Sequence, residues 1–75
     1  MDARGMIQQE LADRGYITEN LETPYPPDAG GTWALTCRPS EINKSVDPAG
    51  GAPRSHRASS PEALLSFVRS LPALV

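Results

Sequence analysis

The tightest constraint on this fold is an alternation across residues 32–38. Trp33, Leu35 and Cys37 are interleaved with Thr32, Ala34, Thr36 and Arg38. A period of two sends the first set to one side of a pleated strand and the second set to the other. Such a strand needs a neighbour for its backbone hydrogen bonds and a cover for its apolar side. The rest of the chain must supply both.

The segment ahead of it offers the neighbour. Tyr16, Ile17 and Thr18 favour extended backbone, and Glu19-Asn20 has the character of a turn or bulge. Ile17, Leu21 and Tyr25 fall at even separations, as one face of a strand requires. Pro24, Pro26 and Pro27 then stop any central strand, and Pro26 to Gly31 reads as a loop. The expected arrangement is a hairpin between residues 19–25 and 32–38. Residues 54–59 are expected to add a short third strand at an edge, where charged side chains such as Arg54 and Arg57 discourage further pairing.

Two helices offer the cover. In residues 3–14, Ala3, Met6, Ile7 and Leu11 recur at helical spacing. Asp2 can cap the start and Gly15 can end it. In residues 61–71, Leu64, Leu65, Phe67, Val68 and Leu71 form an apolar face. Ser60 is the expected cap, with Ser59 as an alternative register, Pro61 fits the first helical position, and Pro72 ends the helix. The fold class that buries these stripes together with one strand face is α+β. It is a small two-layer α-β-β-(β)-α domain with two helices on one face of a short antiparallel sheet. Met6, Ile7, Leu11, Leu64, Phe67, Val68 and Leu71 are expected to meet Trp33, Leu35 and Cys37 in the core, with Ile17 and Leu21 as further contributors.

Residues 1–75 are read as a single domain, with a flexible Pro/Gly/Ser-rich loop at about 39–53. Ile42 and Val46 are the large apolar residues of that loop, four apart, a spacing compatible with one helical turn. A domain this short has a marginal core, and one cysteine and one histidine cannot build a disulfide or a zinc site within the chain. Homodimerisation is therefore a candidate source of added stability. The unpaired cysteine and the lack of an apolar leader point to a cytoplasmic protein, and no stretch is long and apolar enough to suggest a membrane partner.

Net charge is −2, unfavourable for a protein that binds nucleic acid chiefly by electrostatics. Residues 1–31 set six carboxylates against Arg4 and Arg14, a net of −4, whereas residues 32–75 carry a net of +2. The acidic candidates for partner binding are Glu10, Asp13, Glu19 and Glu22. The basic ones are Arg38, Lys44, Arg54 and Arg57, with His56 among them. Such a group, on a strand end, a loop and an edge, can converge on one patch that faces an acidic protein surface or a phosphate backbone.

Catalytic chemistry finds little footing. Cys37 lies mid-strand beside Trp33 and Leu35, where a thiol acts as a small hydrophobe rather than a nucleophile. The pairs Glu10/Asp13 and Glu19/Glu22 lack the apolar surroundings that tune a carboxyl for acid–base work. Gly30-Gly31 and Gly50-Gly51 lack the spacing and following lysine of a nucleotide loop. Asn43-Lys44-Ser45 matches a glycosylation acceptor by chance, and Pro24-Tyr25-Pro26-Pro27 reads as loop punctuation before a polyproline ligand.

The expectation is a non-enzymatic interaction protein without cofactor or metal. It would bind another protein or a ribonucleoprotein complex and inhibit or modulate it. A phage or mobile-element inhibitor of the anti-CRISPR type is one concrete form. The alternative is a weak nucleic-acid-binding accessory protein that uses the basic residues of the C-terminal half.

Overall fold

The computed structural model describes residues 2–24 and 30–75. In order these form α1 (Ala3–Asp13), β1 (Tyr16–Glu22), β2 (Trp33–Pro39), a 3-10 helix (Glu41–Val46), β3 (Arg54–Ala58) and α2 (Pro61–Ser70). The strands make one antiparallel sheet with β2 in the middle. α1 rests on β1, α2 on β3 and β2, and the helices pack on each other. The result is the α+β domain with two layers that the sequence implies.

Local chemistry sets the helix ends. The Asp2 carboxylate accepts from the Gly5 N–H at 2.7 Å, satisfying one donor that the first turn leaves open. At the far end Gly15 takes φ +94°, a left-handed conformation that turns the chain into β1. Ser60, rather than Ser59, caps α2, its hydroxyl accepting from the Ala63 N–H at 3.2 Å, and Pro61 opens the helix. Leu71 is extended, as a residue before proline prefers, and the helix stops there.

The core comprises Ile7, Leu11, Tyr16, Leu21, Trp33, Leu35, Cys37, Leu64, Leu65 and Val68, with Phe67 and Leu71 packed at its margin. Two placements depart from the sequence reading. Met6 is 38% exposed. The stripe that is buried runs Ala3–Ile7–Leu11, and Met6 lies about 100° round the helix from Ile7, at the rim.

The hairpin is also displaced, because the first strand is Tyr16–Glu22 rather than residues 19–25. Its pairing slips between Thr18 and Asn20, so Glu19 is an extra residue in a β-bulge. The bulge changes parity. Tyr16 and Leu21, an odd number of positions apart, both face the helices, while Ile17 turns outward and is 38% exposed. Tyr25, expected on the same face as Leu21, lies outside the described residues, as does most of the Pro24–Pro27 motif.

Candidate functional site

Residues 39–53, expected to be a flexible loop, carry the 3-10 helix and a turn at 48–51. Their polarity is inverted. Asn43 and Asp47 are buried, whereas Ile42 is 86% and Val46 58% exposed. Asn43 donates from Nδ2 to the Gly15 carbonyl at 3.2 Å and to Ser40 Oγ at 2.7 Å. The Ser40 N–H also reaches the Gly15 carbonyl, at 3.0 Å. Asp47 accepts from the backbone N–H groups of Ala49 and Gly51 and from both terminal nitrogens of Arg54, the shortest contact being 2.6 Å. The Arg54 guanidinium, aided by those two N–H groups, holds the Asp47 carboxyl well below its usual range, at about 2. Arg54 also lies 5.2 Å over the Tyr16 ring. The polar residues of this segment are thus tethers, and its aliphatic residues are left in water.

Most of the charged side chains singled out in the sequence are engaged within the molecule. Glu10 sits between the helices, bound by Arg14 at 2.8 Å and Arg69 at 3.4 Å. Asp13 accepts from Gln9 on the same helix. Glu19 and Glu22 belong to β1, where Glu19 meets Arg38 at 3.1 Å and Glu22 accepts from Asn20. Lys44 is drawn to Glu41, which also approaches Arg38. Arg54 is committed to Asp47.

What the fold does bring together is a set on the sheet face opposite the helices. Cross-strand pairing places Glu22, Ala34 and Arg57 in one row, Asn20, Thr36 and Ser55 in the next, and Ile17 beside Arg38 in the third. No described element covers this face. Of the described cations, Arg57 is the one with neither an ion pair nor a hydrogen bond to another described residue. Arg4 is spent on the Leu21 carbonyl at the sheet edge, at 2.8 Å.

The candidate nucleophile is inside the protein. Cys37 has no exposure, and burial pushes its thiol pKa up, away from the thiolate that attack requires. His56 lies flat on Phe67, ring centres 4.4 Å apart and planes within 2°. Among the described residues every buried side-chain nitrogen and oxygen has a hydrogen-bond partner, and no three His, Cys, Asp or Glu side chains are grouped to hold a metal. No helix among them is long and apolar enough to cross a membrane.

The sequence marked the charged residues but not their pairings, and it undervalued Ile42, Val46, Asn43 and Asp47. The spacing of Ile42 and Val46 was the one available signal, and by itself it cannot say which way they face. Compared with known proteins, the chain matches no family model, no curated protein and no solved structure.

Proposed function

We propose that this is a non-enzymatic interaction protein that binds another protein, alone or within a ribonucleoprotein complex, through the 3-10 helix Glu41–Val46, and modulates it. The observation that carries the reading is the inverted polarity of that helix and its C-cap, with Asn43 and Asp47 buried and Ile42 and Val46 in water. Scattered exposed apolar residues are ordinary on a protein surface. Here two occur within one short helix whose Asn43 side chain is anchored to the Gly15 carbonyl and whose C-cap Asp47 is anchored to Arg54, so little ordering entropy is lost on docking. Burying an aliphatic side chain of this size contributes about 1.5–3 kcal/mol, enough for a pair to anchor an interface.

The pairing of charge also favours a protein over a nucleic acid. Phosphate binding draws on several unengaged cations, and most of the candidate cations here are held by carboxylates of the same molecule. An inhibitory role of the mobile-element kind rests only on size and on the lack of catalytic motifs, and the identity of the partner decides it. Affinity purification of the protein and of Ile42→Ser/Val46→Ser from the native host, with mass spectrometry of co-eluting proteins, tests the proposal. A partner retained by the natural sequence and lost from the double variant is expected. Identical partners for both reject this surface.

A further inference from the structure

The first row of the uncovered sheet face carries a charge pattern that is its own complement. In that row Glu22 on β1 and Arg57 on β3 flank Ala34 on the central strand. Neighbouring strands are about 4.8 Å apart, so the two backbones stand about 10 Å from each other, and the side chains do not close on one another across Ala34. Neither forms an ion pair with any described residue. Between them the central strand offers small side chains, Ala34 and Thr36, and the third row adds the half-exposed Ile17 beside Arg38, whose charge is matched by Glu19 of the same molecule.

We infer that this face docks a second copy of the chain, sheet against sheet, about a two-fold axis parallel to β2. Such an axis exchanges the β1 side of one copy with the β3 side of the other. Glu22 of each molecule then lies over Arg57 of its partner, and the contact is made twice, as an isologous interface requires. The other face-to-face two-fold, running across the strands, sets β1 over β1 and leaves both charges without an opposite. The charge pattern therefore selects one geometry.

Ala34 and Thr36 let the first two rows approach to about 10 Å with their strands within about 30° of parallel, and Arg38, which the axis sets over its own copy, keeps its Glu19 partner at 3.1 Å. Three short strands form a small footprint, which places the contact at the weak end of the interface scale. The Glu22–Arg57 row lies at the opposite end of the face from Arg38, the residue that approaches Glu41 of the 3-10 helix, so a dimer presents that helix twice, and a partner with repeated sites is held by both.

The test is a charge swap. Sedimentation equilibrium from about 10 µM to 1 mM, the range suited to a small interface, should show a reversible monomer–dimer equilibrium that weakens in high salt. Glu22→Arg alone and Arg57→Glu alone each set like charges against each other twice, and each should weaken the dimer at least about tenfold. The double variant Glu22→Arg/Arg57→Glu restores opposite charges and should restore association. Both positions are exposed and make no ion pair in the monomer, so unchanged thermal unfolding is the control for folding. A monomer throughout the concentration series, a dimer indifferent to the single changes, or failure of the double variant to recover overturns the inference.

Discussion

Asp47 and Arg54 tie the segment that follows β2 to the start of β3 through a contact in which the carboxylate has no solvent exposure. A buried ion pair gives net stability only when its remaining hydrogen-bonding capacity is filled, and here the Ala49 and Gly51 N–H groups fill it. Folding holds the Asp47 pKa below its unfolded value of 3.8, at about 2, so the folded state binds this proton less readily than the unfolded one. The resulting stability is present above pH 3.8 and is lost as the pH falls toward 2. Asp47→Asn should unfold at a lower temperature at neutral pH. Its melting temperature should also vary less than that of the natural protein across this acid window, as read by circular dichroism.

Gly15 is the second residue of consequence. At φ +94°, a Cβ there would lie 2.7 Å from Asn43 Nδ2 and 3.1 Å from Leu74 Cβ. Gly15→Ala combines backbone strain with displacement of the Asn43 tether, and should destabilise by more than about 1 kcal/mol in urea unfolding.

Among the elements, β1 and β2 answer differently to a lost residue. Deleting Glu19 removes the extra residue of the bulge and leaves Tyr16 and the former Leu21 in ordinary alternation on the core face. It gives up the surface pair with Arg38, worth at most about 1 kcal/mol, so a cooperative fold should survive. Deleting Thr36 shifts one half of β2 against the other and turns either Trp33 and Leu35 or Cys37 and Pro39 away from the helices. That chain should show no cooperative thermal transition.

The same contrast explains what the sequence made legible. β2 is central, with one face buried and one open, so its alternation is visible in composition. Ser60-Pro61 likewise announces α2, because the cap is local. The register of β1 was hidden, since a bulge changes parity in a way that only the opposite strand fixes. The inward turn of Asn43 and Asp47 was hidden as well, because the Gly15 carbonyl and the Arg54 guanidinium that receive them are brought in by the fold. Of the candidate surface, charge was readable and pairing was not.

For the whole molecule, the single thiol is a reporter. Cys37 has no exposure and belongs to the core cluster on the central strand, so a reagent reaches it only when that core opens. Alkylation should be slower than that of a free thiol by about a thousandfold or more, given a stability of at least about 5 kcal/mol, and denaturant should abolish the protection. Fast labelling of the folded protein would restore Cys37 as a candidate nucleophile.

The corner at Arg14–Tyr16 sets a further condition. The Leu74 N–H reaches the Arg14 carbonyl at 2.9 Å, and the Tyr16 hydroxyl donates to the Pro72 carbonyl at 2.8 Å. Residues 56 apart along the chain, Tyr16 and Pro72, are thereby joined at the turn between α1 and β1, a closure whose search cost falls on the folding rate more than on stability. The molecule completes the hydrogen bonds of its α1–β1 turn only when the residues after α2 have arrived. It must therefore gather as a unit, more slowly than its size alone would suggest.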